Sequence, residues 1–198
     1  MLANLRNLAL AEFRAATDSL TGLPNSRAAR DTLKRMVAQA ARMVSPLSAL
    51  LLDLDHFKQI NDTLGHGRGD DVLAAVGSVL PSVLREADFV ARYGGEEFLI
   101  LLPATGHDEA AIVAEKVRAA IETITVAGIN RAITASIGIA AVPEDAGDAD
   151  THHAARRPRP LYREGQWPQP GQGHRTTPDR GRRLLSTLRT ARSQAVLS

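Results

Sequence analysis

The chain has 198 residues, with 24 Lys and Arg against 22 Asp and Glu and a formal charge of +2. That near-neutral total joins two unlike parts: residues 1–150 carry 14 basic and 20 acidic side chains, and residues 151–198 carry ten Arg, no Lys and two acids. The absence of Cys excludes disulfides, thiolate metal sites and Cys nucleophiles, and no stretch approaches the ~18–20 apolar residues of a membrane span.

The first residues also lack the apolar core and cleavage site of a secretory leader, so a cytoplasmic chain is the expectation. Residues 1–150 suffice for one domain with its own core, whereas residues 151–198 are too few for a second. No internal repeat is visible.

In chain order, residues 1–17 carry Leu2, Leu5 and Leu8 at helical spacing and predict a helical lead-in. The stretch Leu20-Thr-Gly-Leu-Pro-Asn25 is dense in turn formers, and Asn25 is suited to cap a helix running to about Val44. Pro46 ends it. Leu47–Leu54 is an almost unbroken apolar run, the pattern of a strand covered on both faces. A short polar helix should follow, then a Gly-rich loop (Gly65, Gly67, Gly69) and a helix from about Asp70 that Pro81 interrupts.

Phe89–Tyr93 and Phe98–Leu102 are apolar runs separated by Gly94-Gly95-Glu96-Glu97, the signal of a hairpin whose glycines would supply positive φ. Asp108–Thr123 predicts an amphipathic helix with acids at its positive end, and Ile133–Val142 a last strand. Strands alternating with helices, plus one hairpin, imply an α/β (α+β) sandwich with a central mixed sheet. Residues 151–198 hold half of the ten Pro, the only Trp and little periodicity, the composition of a disordered segment.

Two acidic pairs stand at strand ends: Asp53 and Asp55 close the apolar strand, and Glu96 and Glu97 occupy the hairpin turn. If the two strands are neighbours, the carboxylates meet at one rim, and hard oxygen donors of this kind suit Mg²⁺ or Mn²⁺. The plain alternative is that strand-end acids face solvent. An EF-hand reading of Asp53-x-Asp55 fails, because Phe57 and Leu64 fall where ligands are required. Lys58 lies close enough to Asp53 and Asp55 to neutralise phosphate, or to form a surface ion pair. Asn61, His66 and Asp70 surround the glycines. An Asn and an Asp together can read a guanine edge, the carboxylate accepting from N1–H and the exocyclic amine while the amide donates; local capping is the alternative.

Arg92-Tyr-Gly94-Gly95-Glu96-Glu97-Phe98 resembles the signature of GGDEF-domain diguanylate cyclases. Three further stretches resemble that family in order and spacing: Asp18-Ser-Leu-Thr-Gly-Leu-Pro-Asn25, Asp53-Leu-Asp-His-Phe-Lys-Gln-Ile-Asn61-Asp-Thr-Leu-Gly-His66 followed by Gly69-Asp70, and Thr134-Ala-Ser-Ile-Gly-Ile-Ala140. The resemblance spans Asp18 to about Val142, so a GGDEF domain over residues 18–150, truncated at its C-terminal end, is expected. It implies a nucleotidyl-cyclase-like palm fold and condensation of two GTP into cyclic di-GMP and two pyrophosphates, each subunit of a homodimer holding one GTP.

Residue by residue, the resemblance implies that Asp53, Glu96 and the Leu54 carbonyl hold two Mg²⁺ or Mn²⁺ ions per half-site. Glu96 or Glu97 would assist deprotonation of the attacking 3′-hydroxyl, and Lys58 would stabilise phosphate charge. Asn61 and Asp70 would read guanine, His66 would line the substrate site, and Gly94 and Gly95 would lie against phosphate, where a side chain would obstruct. Arg85-Glu-Ala-Asp88 resembles the family's inhibitory site for the product cyclic di-GMP. The lead-in helix lies where such domains join a sensor or receiver domain. The alternative role is a catalytically impaired module that binds cyclic di-GMP or GTP. Arg side chains in residues 151–198 do not by themselves make a nucleic-acid interface, and none is expected.

The resemblance stops where a Lys and an Arg should follow in a stretch like Ala-Leu-Tyr-x-Ala-Lys-x-x-Gly-Arg-Asn. Glu164-Gly-Gln-Trp-Pro-Gln-Pro-Gly171, with its codons read one base later, permits Lys-Gly-Ser-Gly-Arg-Asn-Arg, the second Gly being forced by the Trp codon. Residues 157–162 likewise permit Asp-Arg-Ala-Leu-Tyr. A frameshift near Asp150 is therefore expected, with the Arg and Pro of the tail reflecting a GC-rich strand read out of frame.

Overall fold

A computed structural model of the chain describes residues 15–142. The lead-in helix expected over residues 1–17 falls largely on residues 1–14, and these together with everything beyond Val142, including the segment where a frameshift is expected, lie outside the described residues.

The chain enters through a turn that closes on itself. The Asp18 carboxylate accepts from the Thr21 amide and hydroxyl, and Gly22 adopts φ +71°, a left-handed conformation that suits glycine. Helix α1 (Ser26–Met43) follows, and the Asn25 side chain caps it as expected, accepting from Arg27 and Ala28 at 3.1 Å each. It ends at Val44, whose φ of +49° and 94% exposure place a β-branched side chain where glycine is usual. Strand β1 (Leu47–Leu54) has the bounds its apolar run predicts and is buried at every position.

Helix α2 (Phe57–Leu64) and helix α3 (His66–Val83) meet at Gly65, with φ +84°. This corrects the expected Gly-rich loop: α3 begins at His66, so Gly67 and Gly69 are helical, and only Gly65 is a junction residue. The helix also runs two residues past Pro81, which sits in its last turn. Strands β2 (Phe89–Arg92) and β3 (Glu97–Pro103) form the hairpin, helix α4 (His107–Glu122) follows, and strand β4 (Ala135–Val142) completes the described fold. Glu109 accepts from the Gly106 amide at 3.2 Å, so an acid of the first turn secures the start of α4.

The sheet order is β2-β3-β1-β4, and every pairing among the described strands is antiparallel. Alternation along β1 sends Leu50, Leu52 and Leu54 to one face and Leu47, Ala49 and Leu51 to the other. The first face packs against Phe57 and Ile60 of α2, Val72, Val76 and Leu80 of α3, and Val117 and Ile121 of α4. The second packs against Ala29, Leu33 and Val37 of α1. Helices on both faces explain why β1 reads as a continuous apolar run despite its antiparallel neighbours. No helix among the described residues is long and apolar enough to cross a membrane.

Candidate active site

Pairing register brings the two acidic clusters together. In the β1–β3 ladder Asp53 stands opposite Glu97, and the Leu54 amide donates to the Glu96 carbonyl at 3.3 Å. Asp53, Leu54, Glu96 and Glu97 therefore share one rim of the sheet. Asp53 is buried, whereas Glu96 and Glu97 are half-buried. The rim also separates the two aspartates of the strand end. Asp55 turns to β4, its amide donating to the Thr134 carbonyl at 2.9 Å and its carboxylate accepting from the Ser136 hydroxyl at 2.7 Å. His56, at φ +58°, then reverses the chain into α2. Arg131 fastens this turn from outside, donating to the His56 carbonyl and to the Gln59 side chain.

The donor set fits a small hard cation. Among the described residues no three His, Asp or Glu side chains form a ready-made metal cage. A pair of rim carboxylates beside a main-chain carbonyl is nonetheless the kind of partial set that Mg²⁺ takes, since it fills its remaining positions with water and phosphate oxygen. Asp53, Glu96 and the Leu54 carbonyl meet that description at one place in the fold.

Of the remaining residues singled out from sequence, Lys58, Asn61, His66 and Asp70 lie on the two helices that follow β1, whereas Arg85 and Asp88 precede β2, whose first residue Phe89 pairs with Leu101, at the end of β3 away from Glu97. Lys58 is exposed in the first turn of α2, and its ammonium has no ion-pair partner among the described residues. Asn61, half-buried on α2, meets the N-terminal turns of α3, which carry His66 and Asp70 one helical turn apart and both exposed. Between α3 and β2, Arg85 and Asp88 form a tight turn: the Arg85 amide donates to the Asp88 carboxylate at 2.9 Å, and the Asp88 amide donates to the Arg85 carbonyl at 3.0 Å. The Arg85 side chain is exposed.

The signature turn corrects one expectation. Neither Gly94 nor Gly95 has positive φ. The hairpin closes instead through the Tyr93 and Gly94 amides, which both donate to the Glu97 carbonyl at 2.8 and 3.1 Å. A Cβ on Gly94 would lie 2.5 Å from Glu97 Oε2, so a side chain there would push this chain's own carboxylate out of its present position; a Cβ on Gly95 would meet nothing within 4 Å.

Arg92 and Asp18 form the contact that residue-by-residue reading missed. Arg92 Nη1 lies 3.1 Å from both Asp18 carboxylate oxygens, and its Nη2 donates to the Gly95 carbonyl at 2.8 Å. The Arg92 amide donates to Pro24 at 2.9 Å, so main chain and side chain both tie β2 to the opening turn. Partial burial pushes the Asp18 pKa up, but hydrogen bonds from Thr21 and Arg92 and the Arg92 charge outweigh it, holding the carboxyl below its ordinary value. Both partners stand in the quoted motifs, yet nothing in a sequence pairs residues so far apart.

Residues 15–157 match the family described as diguanylate cyclase, GGDEF domain. The diguanylate cyclase DgcP of Pseudomonas aeruginosa is 45% identical over 139 residues, 69% of this chain and 21% of that protein. The response regulator PleD of Caulobacter vibrioides is 42% identical over 144 residues, 71% of this chain and 31% of PleD. The chain thus spans about a fifth to a third of the length of these relatives. Among solved structures, the coiled coil and GGDEF domain of DgcB from Caulobacter crescentus, in complex with c-di-GMP, superposes with a TM-score of 0.65 at 36% identity, covering 71% of this chain and 76% of that one.

Proposed function

The chain belongs to the GGDEF-domain diguanylate cyclase family, and on that premise we propose that its acidic rim condenses two GTP into cyclic di-GMP. In each of two displacements a ribose 3′-oxygen bonds to the α-phosphorus of the other nucleotide, and the bond from that phosphorus to pyrophosphate breaks. The observation that carries the reading is the register placing Asp53 opposite Glu97 with Glu96 beside it.

Phosphoryl transfer asks the protein for positioning and charge control more than for covalent chemistry. Glu96 or Glu97 takes the 3′-hydroxyl proton, and Lys58, charged and exposed, neutralises phosphate. Asn61 and Asp70 hold the guanine edge, with His66 against the substrate. Asp53, Glu96 and the Leu54 carbonyl would hold Mg²⁺ or Mn²⁺, two ions per half-site, which supply charge neutralisation and activation of the attacking oxygen when bound. One GTP per subunit makes a face-to-face homodimer the working unit. Arg85 and Asp88 are the proposed inhibitory site for product, and an upstream sensor or receiver domain is the proposed input. The cytoplasm, where GTP is available, is the proposed setting.

The test replaces Asp53 by Asn and Glu96 by Gln and follows cyclic di-GMP formation with Mg²⁺. Each variant should lose at least about a hundredfold in rate with its circular dichroism unchanged. Full activity in both would overturn the reading.

A second reading rests on residues 151–198, which contain no Lys. If the frame is lost near Asp150, the chain lacks a Lys and an Arg that the family's sequence pattern places near the phosphates. It is then an impaired module that binds GTP, or cyclic di-GMP at Arg85 and Asp88, without turning over.

A further inference from the structure

Gly69 is buried in the first turns of α3, and its backbone does not have the positive φ that would call for glycine. A helix interior favours alanine over glycine by about 1 kcal/mol, so something other than backbone conformation must select glycine here. The space beside it does. A Cβ on Gly69 would fall inside the contact radius of Asn61 Oδ1, 3.0 Å from Asn61 Cγ and 3.1 Å from Phe57 Cζ. All three atoms belong to side chains of α2. Two residues earlier, a Cβ on Gly67 would meet nothing within 4 Å.

We propose that Gly69 is a positioning residue for guanine recognition, its missing Cβ forming the notch that seats the Asn61 amide beside the turn of α3 carrying Asp70. This rests on the assignment of Asn61 and Asp70 as the pair that reads the base. The atom in hardest contact with a methyl group, Asn61 Oδ1, is the far end of a flexible side chain and not backbone, while the buried Phe57 ring need give by only a few tenths of an ångström. Gly69→Ala therefore turns the Asn61 amide away from the base edge while leaving the two helices packed. The consequence falls on selectivity: the amide donates to an acceptor on guanine, and adenine offers an amino group where guanine has its carbonyl.

The test measures equilibrium binding of GTP and ATP, and the melting temperature, for the full chain and for G69A, G67A, N61A and the G69A/N61A pair. G69A should weaken GTP binding about tenfold, one hydrogen bond's worth, and reduce the preference for GTP over ATP by a similar factor. G67A should bind as the parent does, and the pair should bind GTP no more weakly than N61A alone, because the displaced amide is already gone. Parent-like discrimination in G69A overturns the proposal, as do multiplying losses in the pair. If G69A does not fold, the pair should; a pair that also fails places the clash elsewhere and overturns it too. Parent-like discrimination in N61A overturns the base-reading role itself, and the proposal with it. Lost discrimination in N61A alone leaves that role standing and sinks only the part given to Gly69.

Discussion

One guanidinium, that of Arg92, holds the Asp18 carboxylate at 3.1 Å and the Gly95 carbonyl at 2.8 Å. The opening turn and the signature turn are thereby fixed to each other through a planar fork that Lys cannot reproduce. Arg92→Lys keeps the charge but loses the second arm. It should cost about 1–3 kcal/mol of unfolding free energy and lower turnover by misplacing Glu96, the neighbour of Gly95. Urea titration and a rate assay check both. Unchanged stability would mean that the bridge is incidental.

The same bridge sets a pH dependence. The Asp18 carboxyl titrates below its ordinary value in the folded chain, so the unfolded chain binds its proton first as pH falls. The stabilisation is therefore fully present above the unfolded value of about 3.9 and is lost as pH drops through the lower folded value. Asp18→Asn should be less stable at neutral pH and should lose less stability on acidification. Parallel stability profiles for the two proteins would refute the assignment.

Helix α3 meets the opening turn at Gly77. A Cβ there would lie 2.7 Å from both the carbonyl oxygen and the Cβ of Thr21, and main chain cannot swing aside as the Asn61 amide can. Gly77→Ala should thus destabilise the fold by about 1–3 kcal/mol, although propensity alone predicts a gain. Chemical denaturation decides the sign. G69A, whose hardest contact is with the movable Asn61 amide, should lose less stability than G77A, which separates side-chain contact from backbone contact within one helix.

Parts of this molecule were legible in its sequence because a local pattern sufficed. The apolar run Leu47–Leu54 reads as a two-sided buried strand, and Asn25 before Ser26 as a helix cap, and both are found. The rim of Asp53, Glu96 and Glu97 was foreseeable once β1 and β3 were taken as neighbours. The glycines were not. Gly67 and Gly69 look like loop formers but are helical, and at Gly69 there is no room for a Cβ beside Asn61 and Phe57. Gly94 and Gly95 look like positive-φ residues but are not. The Asp18–Arg92 and Asp55–Ser136 contacts join distant segments, and only the folded sheet defines such pairs.

The proposed frameshift makes its own prediction. A gene with one base removed near codon 150, so that the codons of Glu164–Gly171 are read one base later as Lys-Gly-Ser-Gly-Arg-Asn-Arg, should encode a protein that turns over GTP at least about tenfold faster than the present chain, if the Lys and Arg it gains contact phosphate. Pyrophosphate release from both proteins measures this. Equal rates would show that the segment plays no part.

The central claim is that the rim of Asp53, Glu96 and Glu97 is a GTP-condensing centre. Chromatographic separation of the nucleotides formed from GTP and Mg²⁺ by the frame-restored protein, alongside its E96Q variant, tests it most directly. The account predicts cyclic di-GMP with two pyrophosphates released per product, and none of either from E96Q. Cyclic di-GMP formed equally by the variant, or GTP left intact by a folded restored protein, would contradict it.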